Sequence, residues 1–167
     1  MSIQRSEWLQ WYPGALALAR QLLSGADEAK DIVQSAYIKC FEHSRIPTEP
    51  AAQRVWLLKV VRNSCIDYLR GIRKFSDESS EERLDSSATP EQSLSQEQRK
   101  NRLQEALALL SIDMREVLVL REMNELSYAQ VATLLNIEPG TVMSRLHRAR
   151  MALRARLQQM NEDGGEV

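Results

Sequence analysis

The sequence predicts an all-α fold: two small helical domains joined by an acidic, flexible linker. Three observations predict it. Apolar residues recur at helical spacing along the chain, while stretches of alternating apolar and polar residues are almost absent. Glycine is scarce, with 6 among 167 residues. Between residues 76 and 98 the composition turns abruptly to serine and acid, where Asp77, Glu78, Glu81, Glu82, Asp85, Glu91 and Glu97 oppose Arg83 alone for a segment charge of −6. So polar a stretch has too little apolar surface to fold. The formal net charge of −1 therefore conceals a basic middle and a basic C-terminal end tied by an acidic tether.

The elements follow in order. A first helix is expected over 8–23, with Leu16, Leu18, Ala19, Leu22 and Leu23 on one stripe and Pro13 near its start or at a kink; Ser24 and Gly25 end it. Asp27 and Glu28 suit the positive end of a second helix's dipole, and that helix runs to about residue 42 with Ile32, Ala36 and Cys40 on one face and Tyr37 beside them. Pro47 and Pro50 impose a loop. A third helix over 52–73 turns Trp56, Val60, Cys65, Ile66 and Leu69 inward and carries Lys59, Arg62, Arg70, Arg73 and Lys74. Beyond the tether, short apolar-faced helices are expected over 102–110 and 113–122.

Ser127 then opens a helix with Gln130 in capping-box position; Val131 and Leu134 or Leu135 face inward, and the small Ala132 lets a neighbouring helix approach. Residues 136–138 form a brief turn, and Pro139 suits the first position of the last helix. Two helices joined this way have helix-turn-helix spacing, in which the second helix is free to enter a DNA major groove. In that second helix Val142, Leu146, Ala149, Leu153 and Leu157 form the packing stripe. Met143, Ser144, His147, Arg148 and Met151 point away from it, while Arg145, Arg150, Arg154 and Arg156 flank its edge, placed for phosphates or for acids of their own domain. A run of arginines is commonly a wet helix surface. The capped helix and short turn directly before it favour DNA.

Other classes are excluded by what the chain lacks. No apolar run approaches the ~18 residues of a membrane span, and no export leader is recognisable at the N-terminus. Cys40 and Cys65 lie far apart without zinc-ligand spacing, and read as reduced, buried thiols of a cytoplasmic protein; His43 and His147 have no carboxylate or thiol at ligand spacing. There is no phosphate-cradling glycine loop, no HExxH and no histidine-centred catalytic constellation, so neither an enzyme nor a cofactor or metal is expected.

The stretch LSYAQVATLLNIEPGTVMSRLHRARMALRARL resembles the C-terminal DNA-binding domain of bacterial sigma factors. WYPGALALARQLLSGADEAKDIVQSAYIKCFEH, followed by VWLLKVVRNSCIDYLRGIRK, resembles their N-terminal polymerase-binding domain. The resemblance is to the extracytoplasmic-function (ECF) group of the sigma-70 superfamily, which keeps only these two domains. It implies a non-catalytic initiation subunit that binds core RNA polymerase and reads promoter DNA, the minus-thirty-five element as duplex and the minus-ten element as opened strand. Under it, Glu28, Asp31, Gln34 and Tyr37 contact the polymerase core, and Arg54, Lys59, Arg62 and Asn63 read the minus-ten strand, with Trp56 in the core rather than stacking on a base. Arg121, Thr141, Met143, Ser144, Arg145, His147 and Arg148 fall at the minus-thirty-five contacts, Met143 standing where the family commonly has lysine or arginine. The domains implied are 1–75, the linker 76–98, 99–160 and a tail 161–167; an anti-sigma factor is the expected regulatory partner.

Two other readings stay open at this point. A polymerase-independent helix-turn-helix repressor or activator would bind duplex operators, usually as a dimer. A sigma mimic would bind an anti-sigma protein without touching DNA. Geometry gives an independent check on the sigma-factor resemblance: promoter elements two helical turns apart are ~70 Å apart, whereas the linker spans ~75–80 Å extended and ~25–30 Å as a coil. The tether must be held stretched by polymerase, and the free protein is expected to bind promoter DNA poorly.

Overall fold

The computed structural model describes residues 5–23, 26–76 and 96–164, so the acidic tether lies outside the described residues except at its ends. Every regular element among the described residues is helical: α1 (Arg5–Leu9), α2 (Tyr12–Leu22), α3 (Ala26–Glu42), α4 (Pro50–Ser76), α5 (Gln96–Ala108), α6 (Ile112–Leu118), a π-helical turn (Val119–Met123), α7 (Tyr128–Leu135) and α8 (Pro139–Asp163).

Four elements differ from the sequence expectation: α5 begins at Gln96 rather than 102, inside the expected linker, and ends at Ala108, and the other three differ for local reasons. The first helix is split between Leu9 and Tyr12. Pro13 has no N–H to offer the carbonyl four residues back, and its ring crowds that group, so α1 stops at Leu9 and Pro13 sits in the first turn of α2. The helix expected over 113–122 closes as α-helix only to Leu118 and then widens into the π turn, where Asn124 N–H bonds to Val119 O at 3.0 Å. In α4 the fully buried positions are Leu57, Leu58, Val61 and Cys65, with Trp56, Val60 and Leu69 packed only partly against the core. This helix is gripped from two sides, by α2 and α3 and by α7, so its buried arc is wider than one stripe and centred off the expected one.

The N-terminal half packs α2, α3 and α4 around Trp8, Leu18, Val33, Leu57 and Val61, all fully buried. The C-terminal half packs α5 and α6 on α8 and α7 on α8, burying Val117, Leu120, Leu134, Val142 and Leu146. Each such Leu or Val contributes about 1.5–3 kcal/mol by leaving water. The two cores are continuous: α2 lies on α6 and the π turn, and α4 lies on α7.

Candidate nucleic-acid and polymerase interfaces

The helix-turn-helix is built by local chemistry. Ser127 Oγ accepts from Gln130 N–H at 3.1 Å while Gln130 Oε1 accepts from Ser127 N–H at 2.9 Å, a complete capping box at the start of α7. Asn136 ends α7 in the left-handed region, φ 55° and ψ 49°, a conformation asparagine tolerates well. Pro139 then starts α8. Val142, Leu146 and Ala149 are buried, as their spacing predicted, and Met143, Ser144, His147 and Arg148 stand exposed on the other side.

The surrounding basic residues divide. Arg148 bonds only to its own helix, Nε to Ser144 O at 3.4 Å, leaving its charge facing solvent. Arg150 is tied to Glu122, with Nε 3.0 Å from Oε1, and that hydrogen bond raises its pKa further. Thr141 and Arg145 are half-buried. Arg121 is engaged inside the domain: its Nη1 donates to Leu126 O at 2.9 Å and its guanidinium lies 5.1 Å from the Tyr128 ring centroid. It braces the approach to α7.

On α4, Lys59 and Asn63 are exposed one turn apart. Arg54 and Arg62 are not with them on the open surface. Arg54 Nη2 donates to the Asn124 carbonyl, and its Nε is buried without a hydrogen-bond partner. Arg62 is paired with Glu116, whose side chain is 2% exposed. Burial pushes the Glu116 carboxyl above its ordinary range, and the hydrogen bond from Arg62 opposes that shift. Trp56 is half-buried, its ring 6.2 Å from that of Trp8 and 5.5 Å from that of His43.

On α3, Glu28, Asp31 and Gln34 lie exposed along one strip. Tyr37 faces the other way: its hydroxyl donates to Trp8 O at 2.8 Å, its ring meets Tyr12 and Phe41, and burial raises its pKa. Both thiols are buried, and burial pushes Cys40 and Cys65 up to about 12. Among the described residues no cluster of His, Cys, Asp or Glu is arranged to hold a metal ion, and no helix is long and apolar enough to cross a membrane.

Sequence reasoning passed over Gly14, Glu116 and Asn124, which join the halves. The signal for Glu116 was its place against the apolar run Val117, Leu118, Val119, Leu120, where an acid needs an explanation.

Residues 8–75 match the family model for Sigma-70 region 2, and residues 100–153 match that for Sigma-70, region 4. The ECF sigma factor SigL of Mycobacterium tuberculosis is 37% identical over 147 residues, covering 85% of this chain and 81% of SigL. The chain belongs to the ECF group of sigma-70 factors. It is accordingly a non-catalytic initiation factor, one that directs transcription initiation. SigW of Bacillus subtilis is 28% identical over 159 residues, covering 86% of this sigma factor and 82% of SigW. The sigma factor RpoE, solved in complex with the anti-sigma factor NepR from Bartonella quintana, superposes with a TM-score of 0.78 at 28% identity, covering 92% of this chain and 96% of that one. CnrH, solved with the cytosolic domain of CnrY, has a TM-score of 0.65 at 23% identity over 95% of this chain and 91% of that one, a likeness of fold.

Proposed function

We propose that this sigma factor divides promoter recognition between a strand-reading and polymerase-docking unit, residues 1–75, and a duplex-reading unit, residues 99–160, joined by the tether 76–98 and followed by a tail, 161–167. Glu28, Asp31 and Gln34 dock on core RNA polymerase, and Tyr37 holds their helix from behind. Lys59 and Asn63, joined by Arg54 and Arg62, bind the opened minus-ten strand. Asn63 both donates and accepts, which suits a base edge, and the cations suit the backbone. Met143, Ser144, His147 and Arg148 face the bases of the minus-thirty-five duplex; Thr141 and Arg145 flank them toward phosphate, and Arg121 acts by bracing α7. The protein works in the cytoplasm, with an anti-sigma factor as its regulator; the similar RpoE was solved with such a factor, NepR.

One observation carries the duplex-reading part: the exposed face of α8 lies opposite its buried stripe, directly after a capped helix and a tight turn. The test is reconstituted transcription from a promoter pool with purified core polymerase. Arg148→Ala should lose duplex engagement, whereas Asn63→Ala should retain it and lose strand opening. A chain that ignores core polymerase and binds duplex as a symmetric pair would overturn the reading.

A further inference from the structure

The outer face of α8 carries two exposed thioethers, Met143 at 56% and Met151 at 53%. Neither packs into the core, to which α8 contributes Val142, Leu146 and Ala149. The two stand at different places. Met143 is the fifth residue of α8 counted from Pro139, whereas Met151 lies eight residues farther on, ~12 Å along the helix axis. In a helix-turn-helix the N-terminal part of the second helix reaches the base edges. That end is open here: Glu138, Pro139 and Gly140 are exposed, and a Cβ on Gly140 would stand in open space.

The polar side chains around Met143 are partly spent. Ser144 Oγ donates to Thr141 O at 3.1 Å, which leaves the hydroxyl only its lone pairs for a base. Arg148 turns its Nε back to Ser144 O at 3.4 Å and keeps its terminal nitrogens for guanine or phosphate. Met143 has no donor and only a weak acceptor, so a phosphate offers it nothing. Against the amino and carbonyl edges of the bases it would strip water from polar groups and return no hydrogen bond. One group in the major groove suits it, the apolar C5 methyl of thymine. An unbranched thioether with three rotatable bonds adapts readily to such a target.

We propose that Met143 reads a thymine of the minus-thirty-five duplex through its C5 methyl, and that Met151, though equally exposed, takes no part in base reading. The proposal rests on the duplex-reading role of α8 given above and adds the base that this position selects. The contact differs in kind from those of the neighbouring arginines: it gains by removing apolar surface from water rather than by releasing counterions, so salt does not weaken it.

The test uses holoenzyme reconstituted with core polymerase and a promoter that the wild type transcribes from the pool. Each thymine of the minus-thirty-five duplex is replaced singly by deoxyuridine, which keeps every hydrogen-bonding group and removes only the methyl. At one thymine the replacement should weaken wild-type binding roughly 4-fold, the worth of one methyl group taken out of water. Met143→Ala should weaken binding to the thymine duplex by at least as much, and should bind the thymine and deoxyuridine duplexes equally. Met151→Ala should keep the wild-type difference. Circular dichroism of both variants should match wild type, since neither side chain is in the core. If no thymine responds in the wild type, or the difference survives Met143→Ala or disappears in Met151→Ala, the assignment is overturned. Arg148→Ala on the same duplexes keeps the two readings apart. If it weakens binding while Met143→Ala leaves the thymine difference intact, the thymine contact alone falls; if neither variant changes duplex binding, the duplex-reading role of α8 falls with it.

Discussion

Arg148 and Arg150 stand two residues apart on one helix, yet they should answer substitution very differently. Arg150 is held by Glu122 at a site where both side chains are about half exposed, 47% and 50%. Its charge is already compensated, and an exposed pair of this kind is worth ~0.2–1 kcal/mol of stability. Arg148 contacts only its own backbone and carries an uncompensated charge on the face away from the buried stripe. Arg148→Ala should therefore cost little stability but ~1–3 kcal/mol of duplex binding, a loss of roughly 5- to 150-fold. The assay is competition binding of reconstituted holoenzyme to a minus-thirty-five duplex at several salt concentrations. If the lost partner is a phosphate, the slope of log K against log salt should become shallower by ~0.9. If it is guanine, the slope should hold while discrimination relaxes at one base pair. Equal, small losses for Arg148→Ala and Arg150→Ala at every salt concentration would refute the division between free and internally paired arginines.

Two further outcomes follow from the interior. Ser127→Ala removes one half of the capping box and should lower stability by ~1 kcal/mol in chemical denaturation, with Ser127→Asp restoring most of it; no loss would mean that the cap is idle. Cys40 and Cys65, held at about 12 against an ordinary 9.0, keep their protons in the folded state over a pH range where the unfolded chain releases them. Their contribution is complete below about pH 9 and is lost as pH climbs toward the folded value, so the melting temperature should fall across that window, less steeply in Cys40→Ala/Cys65→Ala.

Much of the C-terminal half was legible because its signals are local. Ser127 with Gln130, Pro139, and the stripe of Val142, Leu146 and Ala149 each act within a turn or two of helix, and each appears where the spacing put it. The stripe of α4 was read off its centre because periodicity assumes one packing partner, and α4 has neighbours on two sides. The π turn leaves no pattern in composition, since widening one helical turn is a response to packing. Least legible was the seam. Arg62 and Glu116 are separated by the whole tether, and nothing in either local sequence names the other. The same distance explains why Arg54 and Arg62 looked like open cations; Tyr37, by contrast, lies beside the apolar face of α3, and its hydroxyl is held by Trp8 O within the same half.

The left-handed backbone at Asn136 makes the elbow between α7 and α8 a one-residue hinge in design though not in motion. Side chains branched at Cβ resist that conformation by ~1–2 kcal/mol, and they relieve it most readily by changing the angle at which the two helices meet. Any such change swings Met143, Ser144, His147 and Arg148 together, as a rigid comb. On the proposed duplex-reading role, the seating of these side chains in the groove is therefore adjustable from a position outside the comb itself.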